Sequence, residues 1–191
     1  MSAPNTDGVT FQTTKSEKKE FIEFPYQHNS VDEFWVPPLK SEQKKLLDTN
    51  KNPFFQEADI ALFIATHNDK MAGRIAAIID HRYNEYHKSK TGFFGFFEVI
   101  NNQNTANLLF RVAEDWLKAR DMKTVLGPVN PSMMDEIGIL VEGFDKYPAI
   151  MMPYHKPYYD KIIKNAGYEK AVDLFNYFVS QETVQKDRVN R

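Results

Sequence analysis

A chain of 191 residues with 42% hydrophobic and 26% charged residues has the make-up of a globular domain of ordinary size. Its formal charge of −2 is too near balance to favour nucleic acid or an anionic membrane as partner. It has no cysteine, which excludes thiol nucleophiles, disulfides and Cys-ligated zinc. No apolar run reaches transmembrane length, and the start MSAPNTDG lacks the features of a secretory signal, so a cytoplasmic location and no membrane partner are expected.

In chain order, residues 1–8 are small and polar and expected to be disordered. A single domain is expected over 9–180, followed by a polar tail at 181–191. Val9 to Thr13 alternates weakly, as a first strand does. Thr14-x-x-Glu17 is a capping-box pattern that opens a helix carrying Phe21, Ile22 and Phe24. That helix is expected to stop near Pro25, which lacks an N–H. Pro37-Pro38 forces an extended connection, and Ser41 to about Asp48 reads as a second helix burying Leu46 and Leu47. Ile60–Thr66 and Ala72–Asp80 read as strands of an antiparallel hairpin turning at Asn68-Asp69. Tyr83 to Thr91 reads as a polar loop or a short irregular helix.

Gly92 to Gly127 organises the rest. GFFGFFEVI is a nearly unbroken apolar run, as in a strand covered on both faces. The helix that follows is amphipathic, with Leu109, Val112, Ala113, Trp116 and Leu117 on one face and Asn104 able to cap its start. MKTVLG is a short strand ended by Gly127-Pro128. Strand, helix, strand over this length is a βαβ unit with parallel strands, and the turn entering its helix is a usual ligand site. A long connection without period runs to Lys156 and contains several prolines. Pro157 suits the first turn of a helix over Tyr158 to Ala166, Gly167 suits its end, and Tyr168 to Val179 reads as a last strand. The expected class is α/β, a mixed sheet of about six strands with helices on both faces.

With this element order the chain resembles the GNAT acyltransferase superfamily. PYYDKIIKNAGYEKAVDLF is similar to the segment those proteins carry after the fifth strand. More narrowly, FWVPPLK, AGRIAAIID, GFFGFFEVI and LGPVNPSMMDEIGILVEGFDKYPAIMMPYHKPYY resemble the N-terminal half of a bacterial family of GNAT-like proteins of undefined function, typically about twice this length. The resemblance implies N-acyl transfer from acetyl-CoA or another acyl-CoA to a small-molecule or peptide amine, by direct attack. It implies pantetheine pairing with the strand backbone of Glu98, Val99 and Ile100. It also implies a pyrophosphate cradled at Gln103, Asn104 and Thr105. Asn130, with the loop Met133 to Phe144, reads as a cover over a bound ligand. The superfamily pattern before the central helix is Arg or Gln, two residues, Gly, one residue, then Gly or Ala. This chain reads Asn101-Asn102-Gln103-Asn104-Thr105-Ala106, with no glycine between Gly95 and Gly127.

Glu98 is an acid inside an apolar strand. It reads either as a general base for the amine, its pKa raised by burial, or as a structural partner of Arg74 or Arg82. Tyr158 and Tyr159 read either as the general acid for the leaving thiolate or as packed phenols. Asp80, His81 and His87 share no helical or strand face, so no metal is expected. The alternative function is a non-catalytic GNAT-like domain that binds a ligand or protein, or pairs with a second copy through an open sheet edge.

Overall fold

The computed structural model describes residues 7–11 and 15–177. Thr14 of the capping box and the tail at 181–191 lie outside the described residues. β1 spans Asp7–Phe11, two residues upstream of the expected Val9–Thr13. α1 then covers Lys15–His28 with Pro25 inside it, which corrects the expected stop at that proline. The physical reason is tertiary. Pro25 has no N–H to donate to the carbonyl of Phe21, four residues back. The Arg74 guanidinium donates to that carbonyl instead, at 2.8 Å. The ladder resumes when Asn29 N–H donates to the Pro25 carbonyl at 2.9 Å.

α2 covers Lys40–Leu46. β2 (Ala58–His67) and β3 (Lys70–Asp80) form the expected hairpin. Its turn residues Asn68 and Asp69 have φ of 51° and 60°, the paired left-handed geometry of a two-residue turn. α3 (His81–His87) is the short helix of the two alternatives for that stretch, capped by Asp80. β4 covers Thr91–Val99, α4 Gln103–Lys118 and β5 Thr124–Leu126. β4 and β5 are parallel, so the βαβ unit is present. β6 (Val129–Asn130) and β7 (Glu136–Ile137) form a small separate hairpin within the long connection. α5 covers Tyr158–Asn165 and closes as a Schellman motif: Gly167 has φ +95°, its N–H donates to Lys164 O, and Tyr168 N–H donates to Ile163 O.

The main sheet runs β1-β2-β3-β4-β5 and is antiparallel except at its last pair. One face packs Phe94, Phe97, Val99 and alternate residues of β2 and β3 on α4 and α5. The other packs Leu62, Ile64, Ile78, Phe93 and Phe96 on Phe21 and Ile22 of α1 and on Leu47 after α2. Helices thus cover both faces. The apolar stripe of α4 includes Ala106 and Phe110 as well as Leu109, Ala113 and Leu117, while Val112 and Trp116 flank it.

The expected last strand is absent among the described residues. The chain from Tyr168 to Tyr177 joins no sheet, and Phe175 and Tyr177 are 74% and 84% exposed. β5 pairs for only three residues and leaves through Gly127-Pro128, so it gives a sixth strand little edge to zip onto.

β4 carries the irregularity that shapes the site. Arg74 faces Glu98 across the β3–β4 ladder, but Ala76 faces Gly95, so β4 holds one extra residue. Phe96 takes up the bulge with φ +49°. Its N–H, freed from the ladder, donates to Asn130 Oδ1 at 2.5 Å. Gly95 lets β6 lie directly on β4, because a Cβ there would come within 1.7 Å of the Val129 carbonyl oxygen.

Candidate active site

Pairing of β4 with β5 ends at Phe93–Leu126, where β5 itself ends, and the chain beyond stays on β4, with Gly127 against Phe94 and Val129 against Gly95. At the far end of β4, Ile100 N–H turns to the Ala72 carbonyl of β3 at 2.9 Å. The N–H and C=O of Val99 meet α5 instead. Val99 N–H donates to the Tyr159 hydroxyl at 3.1 Å, and that hydroxyl donates to Glu98 at 2.6 Å. The Tyr158 hydroxyl donates to Val99 C=O at 2.7 Å and meets His28 Nε2 at 3.0 Å. Since the Tyr158 proton lies toward Val99, the assignment that completes the pair puts a proton on His28 Nε2. Burial, helped by Lys156, holds the His28 pKa down at about 4, so the ring is neutral at pH 7. The two tyrosine rings stack at 4.9 Å.

α5 is held in this register by Gln103 at the start of α4. Its side-chain amide donates to Ile162 O at 3.0 Å and to Asn107 at 2.8 Å, and it accepts from Asn165 at 3.2 Å. The cap of α4 is Asn102, not Asn104. Asn102 has the extended backbone a cap requires, and its Oδ1 accepts from Asn104 N–H at 2.9 Å and Thr105 N–H at 3.2 Å. Thr105 is fully buried and its hydroxyl has no partner among the described residues.

On the α1 face of β4 lies a cavity of about 240 Å³. Its polar lining includes Arg74, Glu98, Asn130, Asp135, Glu136 and His155. Its apolar lining includes Trp35, Val36, Leu46, Phe96, Met151 and Met152. Burial raises the Glu98 pKa, against the opposing pull of Arg74 and the Tyr159 hydrogen bond. Burial also raises Glu136, against its contact with the Asn130 amide. Arg74 is buried with its guanidinium against the Phe21 and Phe96 rings, and its Nε has no partner among the described residues. His155 is held down at about 4 by burial, and its Nδ1 accepts from Leu140 N–H at 3.3 Å.

Glu98, Tyr158 and Tyr159 are therefore brought together, with Arg74 as the cation opposite Glu98. Gln103 and Asn130 hold backbone of this chain. An acyl-CoA cradle needs free strand backbone and free N–H groups at the helix start. Here Tyr158 and Tyr159 engage Val99, Asn102 engages two helix N–H groups, and the sequence holds no lysine or arginine between Lys90 and Arg111. The residues as arranged do not fit that group. His81 pairs with Asp59 and His87 stacks on Tyr83; among the described residues no cluster is placed to hold a metal ion. His28, Glu136 and His155 had no local signal in the sequence that placed them at this site.

No protein-family model matches the chain. Over 91% of its length it superposes on 97% of an aminoglycoside acetyltransferase from an uncultured soil metagenomic sample, in complex with sisomicin, with a TM-score of 0.52 and 12% identity. The fold is that of the GNAT acetyltransferases. In sequence, this GNAT-fold chain is 39% identical over 165 residues to the bacterial ceramide synthase of Caulobacter vibrioides. It is 35% identical over 167 residues to protein YghO of Escherichia coli. These matches take in 86% and 87% of the chain but 43% of each relative, so the chain spans less than half the length of both. Among the described residues no helix is long and apolar enough to cross a membrane.

Proposed function

We propose that this chain serves N-acyl transfer to an amine, with the cavity receiving the amine and Glu98 taking its proton. The observation that carries this reading is the Glu98 carboxyl. It lines a cavity on β4 of a GNAT fold, with its pKa pushed up by burial and its oxygen fixed by Tyr159. A base with a raised pKa removes an ammonium proton near neutral pH without being a permanent, costly buried charge. Glu136 adds negative potential beside it. Once one ammonium proton has moved to Glu98, the nitrogen lone pair bonds to the acyl carbon, the acyl–sulfur bond breaks, and the carrier leaves as a thiolate that takes up the proton the amide nitrogen loses. The donor enters only as an activated acyl group, because the residues here do not build a CoA cradle. The relative named a ceramide synthase supports an amide-forming reading, since a ceramide is a long-chain base acylated on nitrogen.

The test is amide formation from decylamine and either palmitoyl-CoA or a short acyl thioester, read by mass spectrometry and by thiol release. With no cysteine in the chain, a thiol reagent reads the leaving group alone. Glu98→Gln should lower turnover by about 10²–10⁴-fold, the usual contribution of a general base. No amide with either donor, or a Glu98→Gln variant as active as the parent, rejects the proposal. A second reading, a GNAT-like domain that binds without transfer, is favoured by the self-capped start of α4 and the tyrosines on Val99. It expects amine binding with no product.

A further inference from the structure

We propose that Arg74 is a catalytic residue of the same reaction, its guanidinium meeting the oxyanion that forms on the acyl group as the amine attacks. This rests on the reading of Glu98 as the base. Arg74 is 6% exposed and lines the cavity together with Glu98. Its Nη1 donates to the Phe21 carbonyl, while its Nε has no acceptor among the described residues. A buried donor without an acceptor is costly. An oxygen that gains charge in the transition state relieves that cost at the step where relief raises the rate.

The other donors nearby are spent. Phe96 N–H goes to Asn130, Val99 N–H to Tyr159, and the Tyr154 hydroxyl to Asp32. His155 also lines the cavity, but its ring is neutral at pH 7 and brings no charge. Among the described residues of the lining, Arg74 is the one permanent cation. Asp135 and Glu136 line the same space and repel an anion, so an oxyanion here needs a cation in contact with it.

The movement of charge points to the same residue. Arg74 and Glu98 are direct cross-strand partners, so their side chains start from adjacent positions on one sheet face. Glu98 accepts from Tyr159 and Arg74 donates to Phe21, and among the described residues the two side chains do not bond each other. Glu98 loses its negative charge when it takes the ammonium proton. The nitrogen then adds to the acyl carbon, the C=O electron pair moves onto oxygen, and a negative charge reappears beside the nitrogen. The guanidinium therefore faces an anion before and after the addition, with Nε unspent until the oxyanion arrives. Collapse of the adduct returns the pair to the carbonyl and expels the thiolate, which takes up the proton the amide nitrogen loses.

Arg74 also supports α1, and the experiment separates the two roles. Pro25→Ala restores the N–H that donates to the Phe21 carbonyl in an unbroken helix, so α1 no longer depends on Arg74. In that background Arg74→Met should lower kcat for acylation of decylamine by about 10²–10³-fold, the usual loss for one oxyanion donor, without raising the KM for the amine. The second measurement compares S-phenyl thioacetate with phenyl dithioacetate, each rate divided by its uncatalysed rate with the same amine. A C=S sulfur is a poor acceptor, so the parent should favour the oxygen compound about tenfold or more, and the Arg74→Met variant should not. Equal normalised rates in the parent overturn the inference, whatever the variants do. So does an Arg74→Met variant that matches Pro25→Ala alone in kcat. If either occurs while Glu98→Gln remains inactive, the transfer reading stands and this inference falls. If the parent forms no amide from the thioester, both fall.

Discussion

The hydroxyl of Tyr159 donates to Glu98 at 2.6 Å while accepting the Val99 N–H at 3.1 Å. One buried phenol thus holds both the base of the proposed reaction and the last amide of β4. Replacing it with phenylalanine leaves that N–H buried without a partner, which costs about 1–3 kcal/mol. It also removes a hydrogen bond that favours the ionised form of Glu98, so the Glu98 pKa moves further up. Tyr159→Phe should lower the midpoint of chemical unfolding and shift the acidic limb of the activity profile to higher pH. A variant with the parent's pH profile and only reduced stability would make Tyr159 a packing residue.

His155 supplies a prediction of pH-dependent stability. Its pKa is pulled from 6.5 to about 4 by burial, so folding opposes its protonation. The stability gained from a neutral His155 is complete above pH 6.5 and is lost as pH falls toward 4. At 1.36 kcal/mol per unit this is roughly 3 kcal/mol. His28 acts in the same direction over the same window, though it is less buried. Glu98 and Glu136 act oppositely: their pKa values are raised above 4.5, so their protonated forms favour the fold, and that contribution fades as pH rises from 4.5. The clean readout is therefore a difference. Urea unfolding of His155→Gln should lose less stability than the parent between pH 6.5 and 4. Parallel curves for the two proteins would place the loss elsewhere.

Much of the architecture was legible because it is local. Asn68-Asp69 between two apolar runs fixes the β2–β3 turn, and the three-and-four spacing of α4 fixes its buried face. Glu98 stood out as the single acid in GFFGFFEVI. What was not legible depends on partners far along the chain. Pro25 stays inside α1 because Arg74, on β3, takes the carbonyl that the proline leaves bare. Glu136 and His155 reach the cavity from a connection with no period, and no local pattern brings them to Arg74. Tyr168 onward alternates like a strand, but a strand also needs an edge, and β5 is too short to give one. Asn102 and Asn104 are both good caps by residue type; the extended backbone of Asn102 decides between them.

Gly95 offers a test of how β6 is seated. An alanine Cβ there meets the Val129 carbonyl oxygen at 1.7 Å, and the obstacle is backbone, which cannot rotate away. Gly95→Ala should therefore push β6 off β4, break the Phe96–Asn130 hydrogen bond and open one wall of the cavity. The loss should reach or exceed the roughly 1–3 kcal/mol typical of overpacking. Gly143 is the control: it has φ +82° and, among the described residues, nothing within 4 Å of an added Cβ, so Gly143→Ala meets backbone strain alone, about 1–2 kcal/mol. Thermal unfolding of the two variants should rank Gly95→Ala well below Gly143→Ala. The reverse order would mean that β6 does not rest on β4.

Asn102 decides whether the start of α4 can take an anion. Its side-chain oxygen occupies the N–H groups of Asn104 and Thr105, the donors that a phosphate at a helix start would use. Asn102→Ala removes that internal acceptor while leaving the backbone able to form the helix. Two effects should follow with opposite signs. Stability should fall by about 1 kcal/mol, the common cost of losing a cap. Affinity for CoA, measured by calorimetry, should rise, because two N–H groups at the positive end of the helix dipole become available. Tyr158 and Tyr159 would still engage Val99 in this variant, so the gain should come from the phosphates and appear equally with 3′,5′-ADP, which lacks the pantetheine arm. If stability falls and neither ligand binds better, the cap is structural only, and the missing glycines and cations, not Asn102, are what keep phosphate away.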